Sequence, residues 1–280
     1  MMKKQVAILI TVYNRKNVTL EGLRTLYVSI GVIGEAYDFD IYLVDDGSTD
    51  GTEEAIALEY PEVHIIKGDG SLFWGGGMLK AWRTAIDSNV NYEYYVWYND
   101  DSSLEPDAIK TLFDCSADDT IVTGAFCDNK GVVSYGGKDK NNILIAPTGI
   151  PQRVYYMNGN LVLVPKSIVD KMGVLDSKLR HGGGDFEYGL RARKNGFKIM
   201  LTPSYVGEAN RHDEKIPKYC QSQYSMRQRV KYLKSPIYNP KLHFYYNTIA
   251  HGKMRACMNF VLCYLGVISP TLYSYIKKLL

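Results

Sequence analysis

Val6-Ala7-Ile8-Leu9-Ile10 is an unbroken apolar run. A strand with one wet face alternates apolar and polar residues. Five apolar positions in succession therefore demand cover on both faces, as in the middle of a largely parallel sheet. The run ends in Thr11-Val12-Tyr13-Asn14-Arg15, and a helix is predicted over Leu20–Ile30, with Asn17 and Thr19 as caps. The pattern then recurs. Phe39–Val44 is a predicted strand that ends in Asp45-Asp46-Gly47-Ser48-Thr49-Asp50-Gly51-Thr52 and feeds a helix over Glu53–Leu58, capped by Ser48 or Asp50. Val63–Ile66 is followed by Gly68-Asp69-Gly70, Trp74-Gly75-Gly76-Gly77 and a helix over Met78–Ser88. Tyr92–Tyr98 ends in Asn99-Asp100-Asp101-Ser102, ahead of a helix over Pro106–Phe113. Four strand–helix alternations predict an α/β fold with a doubly wound, mostly parallel sheet.

In such a sheet the carboxyl ends of the strands open into one crevice, so the polar strand ends should converge there. Asp100 and Asp101 would repel each other unless a cation lay between them. Mg²⁺ and Mn²⁺ take carboxylate oxygens and diphosphates together, so a metal–diphosphate site is one reading and a plain polar turn the other. Asp46 suits a nucleobase imide or a ribose hydroxyl, or else helix capping. Glycines 75–77 would let backbone approach a phosphate, or else form a flexible loop. There is no GxGxxG and no GxxxxGK[ST], so neither a Rossmann dinucleotide site nor a P-loop is supported.

Composition narrows the classes further. A net charge of +3 is too small to argue for nucleic acid, and none is expected as a partner. Five cysteines without a CxxC pair argue against a zinc site and a disulfide framework. Val6–Val12 is too short for a secretory leader, so a reducing cytoplasm is expected.

The middle of the chain reads as a β-rich excursion, Thr120–Phe126, Val132–Tyr135 and Ile143–Ala146. A buried strand within Tyr155–Pro165 and a helix over Lys166–Met172 follow. Then three glycines precede an acid in His181-Gly182-Gly183-Gly184-Asp185-Phe186-Glu187. At the positive end of a helix Asp185 can serve as a general base or as a cap. Glu187, two residues on, points elsewhere and is read as structural or acceptor-binding.

Ile8–Asn14, Val44–Thr52 and Asn99-Asp100-Asp101, in that order and spacing, resemble the family 2 glycosyltransferases of the GT-A fold, over about residues 5–212. The resemblance implies a Rossmann-like, mostly parallel sheet flanked by helices. It implies that Thr11, Tyr13 and Asp46 hold the nucleoside of a UDP- or dTDP-linked sugar, with Asn99 and Asp100 in the donor site. Asp101 would ligate Mg²⁺ or Mn²⁺, with His212 completing the metal sphere. G-D-x-E-x-x-x-R resembles the family's catalytic-base segment and puts Asp185 at the base position. Phe73–Gly77 resembles the aromatic–glycine loop of the rhamnosyl- and galactofuranosyl-transferase branch, adding Trp74 and Gly76 to the donor site.

The expected division is a catalytic domain over 1–215, with its nucleotide-sugar half at about 1–115 and its acceptor half at about 116–215, and a helical, basic-aromatic extension over 216–280. From Lys215 to Lys278 there are many Lys and Arg and almost no acids, which suits an anionic membrane surface. Ala256–Ile276 carries no charge. It is read as an interfacial anchor, with a bilayer span and a packed helical lid as the other possibilities. The expected function is inverting, metal-dependent sugar transfer to a glycan or lipid-linked saccharide, at the inner face of the membrane. A sugar-phosphate nucleotidyltransferase and a silent glycan-binding subunit are the alternatives.

Overall fold

The computed structural model describes residues 3–211 and 216–279. A ten-stranded sheet organises the first unit, which runs to Arg180 and resumes over Gly184–Arg211. Its amino-terminal part alternates β1 (Lys4–Val12), α1 (Lys16–Ile33), β2 (Tyr37–Asp45), α2 (Thr52–Glu59), β3 (His64–Lys67), α3 (Phe73–Asp87) and β4 (Tyr94–Tyr98). These four strands are parallel in the order β3-β2-β1-β4, so the order reverses between β1 and β4. That reversal is the switch point at which a doubly wound sheet opens its crevice. Along β1, Val6, Ile8 and Ile10 face α1, whereas Ala7 and Leu9 face Met78, Ala81 and Trp82 of α3. The apolar run is thus explained by two buried faces.

Beyond β4 the sheet turns mixed. After β5 (Ser103–Leu104) and α4 (Ala108–Asp114) come β6 (Thr120–Cys127), β7 (Val133–Tyr135), β8 (Gly137–Lys138), β9 (Gln152–Arg153), β10 (Tyr156–Met157) and β11 (Leu161–Pro165). β11 lies antiparallel between β4 and β6. Helices α5 (Lys166–Met172) and α6 (Gly184–Lys194) follow, and β12 (Lys198–Glu208) then pairs parallel with β6. The expected mixed, mostly parallel sheet flanked by helices is the one observed. Two details differ. Ile143–Ala146 contributes only an isolated bridge at Leu144. The strand expected within 155–165 is divided between β10 and β11 at Asn158-Gly159-Asn160, where Gly159 N–H donates to the Asp185 side chain.

Helix α1 carries the caps the sequence reading assigned, but uses them differently. Thr19 is fully buried and does not cap. Thr19, Gly22, Thr25 and Ser29 lie at steps of three and four, on one face of α1. Thr19 Oγ1 donates to Asp100 Oδ2 at 2.6 Å, Thr25 Oγ1 accepts from Leu104 N, and Ser29 Oγ accepts from Ile109 N. At Gly22 the backbone of the carboxylate loop approaches so closely that a methyl group would fall 2.4 Å from Asp100 O.

The second unit comprises residues 181–183 and the chain beyond 212. Its helices are α7 (Met226–Leu233), α8 (Pro240–His251), α9 (Lys253–Ile268) and α10 (Pro270–Leu279). They enclose a small core of Tyr219, Cys220, Leu233, Leu262, Cys263, Val267 and Tyr273. The uncharged run that was long enough to span a bilayer is divided at Ser269, ahead of Pro270, where the helix ends. No described helix is long and apolar enough to cross a membrane.

Gly22→Ala should lower the unfolding free energy by about 1–3 kcal/mol, because the added carbon overpacks a rigid carbonyl. Urea titration measures this. An unchanged midpoint would mean that α1 does not hold the carboxylate loop.

Candidate active site

The end of β4 presents Asn99, Asp100 and Asp101 in three different environments. The Asp100 side chain is 2% exposed and that of Asp101 is 33% exposed. Burial raises the Asp100 carboxyl to about 6, against the pull of Arg15 and the Thr19 hydroxyl. Arg15, from the turn after β1, sets one guanidinium nitrogen 3.0 Å from Asp101 Oδ2 and 3.5 Å from Asp100 Oδ1. A cation does lie between the two carboxylates, as the repulsion argument requires, and the chain itself supplies it. Asn99 is held differently: its N–H donates to Asn160 O, and its Oδ1 accepts from Trp74 Nε1 at 2.6 Å.

Trp74 joins the two clusters that the sequence keeps far apart. Its ring lies on the backbone of Gly159, where a methyl group would fall 2.5 Å from Cζ2 of the indole and 3.4 Å from the Asp185 Cβ. Gly159 N–H donates to Asp185 Oδ2 at 3.0 Å, and Phe186 N–H donates to Asp185 Oδ1 at 2.9 Å. Burial raises the Asp185 carboxyl from its ordinary 3.8 to about 6, with those two amides pulling the other way. Asp185 is in the first turn of α6, and Tyr188 one turn later packs on Trp97 of β4, with ring centroids 5.3 Å apart. The strand that delivers the carboxylates therefore also fixes the helix that delivers Asp185. Glu187 takes the structural option: buried, it pairs with Arg191, which also donates to Met172 O and Val174 O.

The remaining expected donor residues divide in two. Tyr13 is 54% exposed after β1, while Thr11 is buried against Gly77. Asp46 is buried, and its carboxylate accepts from Gly70, Leu72 and Phe73 N–H at 2.9, 3.0 and 2.9 Å. Through these three bonds its carboxylate holds the 70–73 loop in place. Glycines 75–77 lie in the opening turns of α3 and not in a flexible loop; Gly75 N–H donates to Arg180 O, and Gly76 N–H is shared between Leu72 O and Arg180 O. Glycine was needed there for close packing: a methyl at Gly75 would fall 2.3 Å from Leu179 O.

Among the described residues no three His, Cys, Asp or Glu side chains converge into a metal-binding group. His212, expected to complete the metal sphere, lies outside the described residues. The sequence reading missed Arg15 and Gly159 as site residues. Arg15 directly follows the Thr11–Asn14 strand end, which is the only signal it leaves. Gly159 leaves the Asn-Gly-Asn interruption of an apolar stretch.

Residues 7–166 match the family described as glycosyl transferase family 2. Among curated proteins nothing matches the chain. Several solved structures share its fold. One is GalNAc-T7 with UDP, GalNAc and Mn²⁺, at 15% identity and a TM-score of 0.56, covering 92% of this chain and 54% of that one. Another is the mannosyltransferase PcManGT of Pyrobaculum calidifontis with GDP-Man and Mn²⁺, at 15% identity and a TM-score of 0.52, covering 99% and 79%. A third is S. aureus TarS 1-349, at 14% identity and a TM-score of 0.53, covering 92% and 72%. The chain thus spans little more than half of the GalNAc-T7 chain.

Asp46→Asn should cost about 1–3 kcal/mol of stability, since an amide NH₂ then faces buried N–H donors. Chemical denaturation measures it. Unchanged stability with weakened nucleotide binding would instead mean that Asp46 touches the donor itself.

Proposed function

The chain belongs to glycosyl transferase family 2, and from that premise we propose an inverting transfer from a UDP- or dTDP-linked sugar to a glycan or lipid-linked saccharide hydroxyl. Asp185 is the general base. What carries this reading is its carboxyl, held by the Gly159 amide, joined through Trp74 to the carboxylate end of β4, and raised to about 6. A base with a pKa just below neutrality is ionised at pH 7, yet still takes a proton well. Asp185 accepts the proton of the acceptor hydroxyl as that oxygen attacks the anomeric carbon. The bond to the nucleoside diphosphate breaks on the opposite face, and the configuration inverts. Tyr13, open at the end of β1, stacks on the base; Thr11 and the loop shaped by Asp46 complete the nucleoside wall. Asn99 and Trp74, hydrogen-bonded to each other, bound the sugar. The Trp74 loop also supports placing the enzyme in the rhamnosyl- and galactofuranosyl-transferase branch.

The residues present fit a hard divalent cation. The Arg15 guanidinium is a stand-in for one between Asp100 and Asp101, and the partly exposed Asp101 offers an oxygen ligand. Mn²⁺ accompanies the nucleotide or nucleotide sugar in two of the structural relatives. Asp101, with His212, would hold Mg²⁺ or Mn²⁺, which when bound neutralises charge on the leaving diphosphate. The enzyme works in the cytoplasm, peripheral at the inner face of the membrane, in the synthesis of surface polysaccharide.

Two measurements test this reading. Asp101→Ala should weaken Mn²⁺-dependent nucleoside diphosphate binding by at least about tenfold; calorimetric affinities within twofold of the parent would remove Asp101 as a ligand. Asp185→Asn should lower kcat at least about 100-fold while donor affinity stays unchanged. The parent kcat should rise with pH through about 6 as Asp185 ionises. Because folding raises this pKa, the folded state favours the protonated form. Stability from Asp185 is present at low pH and is lost as pH rises from about 4 through 6, a loss the Asn variant lacks. Near-normal turnover by Asp185→Asn would remove it as the base.

A further inference from the structure

Helix α9 is apolar on two opposite faces. One face, with Leu262, Cys263 and Val267, is buried in the small core of the second unit. The other runs through Met254, Met258, Val261, Tyr264 and Ile268, at steps of three and four, and every one of these is solvent-exposed. Met254 is 88% exposed, and Val261 and Ile268 are each 65% exposed. Leu272 and Tyr275 are exposed on α10, beyond the break at Ser269. Since α9 already has its core contacts, this stripe is not an inner face turned outward. Contiguous exposed apolar surface of this kind marks an interaction site.

The surrounding charge identifies the partner. Residues 216–280 contain ten Lys and Arg and no Asp or Glu. Lys253 and Arg255 at the start of the stripe, and Lys277 beyond its end, are exposed. Two copies meeting through this face would bring like charge onto like charge with no acid to pair it. An anionic leaflet supplies the complementary charge and takes up the apolar side chains as well. Tyr264 and Tyr275 suit the headgroup boundary, where amphipathic rings collect. Neither helix is long and apolar enough to cross a bilayer.

We propose that the exposed face of α9 and α10, from Met254 to Tyr275, is a membrane-docking face that lies flat in the headgroup region of an anionic bilayer. The proposal deepens the lipid-linked acceptor reading and rests on it for its purpose: an enzyme docked this way meets an acceptor whose lipid stays in the leaflet.

Co-flotation of the full chain with vesicles tests it. Binding to phosphatidylcholine vesicles containing phosphatidylglycerol should exceed binding to phosphatidylcholine alone by at least about tenfold, and should fall with salt. The double variant Val261→Asp/Ile268→Asp should lose at least about tenfold in vesicle affinity. It should keep the parent melting temperature and nucleoside diphosphate binding, since both positions face solvent. Val261→Leu/Ile268→Leu should bind vesicles as the parent does. Absence of parent binding to anionic vesicles overturns the proposal, as does undiminished binding by the Asp variant. A parent dimer that the Asp variant splits would also overturn it and make the stripe an interface between copies. Docking by a chain that uses no lipid-linked acceptor leaves the face standing and removes only the acceptor reading.

Discussion

A buried carboxylate is costly unless charge and hydrogen bonds answer it, and Asp100 is answered twice, by Thr19 and by Arg15. Much of the site's geometry follows from that. Thr19 is one rung of the polar face of α1, whose other rungs hold the backbone at Leu104 and Ile109. The loop that turns the chain out of β4 is therefore fastened along its length to a helix from the opening βα unit. Asp101, next in sequence, projects from that fastening and stays partly open to solvent. A rigid inner acid and an accessible outer one give preorganisation and access from adjacent residues.

Trp74 does the corresponding work on the other side of the crevice. Its indole N–H fixes Asn99, and its ring covers the glycine whose amide holds Asp185. The Trp97–Tyr188 contact beneath then ties α6 to β4. An aromatic cluster of Trp74, Trp82, Trp97 and Tyr188 is thus both core and alignment device. The spacing between the end of β4 and Asp185 is set by packing, which resists deformation better than flexible polar contacts do.

The contrast between what could and could not be read in the sequence follows sequence separation. Val6–Ile10 was legible because burial on both faces leaves a purely local mark. The place of Asp185 in the first turn of α6 was legible because its glycine run and helix start are neighbours in the chain. Arg15 was not, since its partners lie some 86 residues away, and one arginine in a turn looks like any other. The helical placement of glycines 75–77 was not legible for another reason: an open loop and a close-packed helix turn require the same residue, and only Leu179 and Arg180 distinguish them. The bonds from Asp46 to the amides of the 70–73 loop were not legible either, because they span 24 to 27 residues of chain. The uncharged tail was counted correctly as a composition, but the helix stop at Ser269–Pro270 gave it a different meaning.

The antiparallel insertion of β11 has a consequence for biosynthesis. Tyr94-Tyr95-Val96-Trp97-Tyr98 pairs with β1 on one side and with β11 on the other. β1 emerges from the ribosome long before β4, but β11 only after the intervening chain 99–160 has been made. At cellular elongation rates that interval is on the order of several seconds. Throughout it, one of the most aromatic strands in the molecule is an open sheet edge, the kind of template on which neighbouring nascent chains pair wrongly. The strand on which the site is built therefore gains its second partner last, once residues 161–165 have been made.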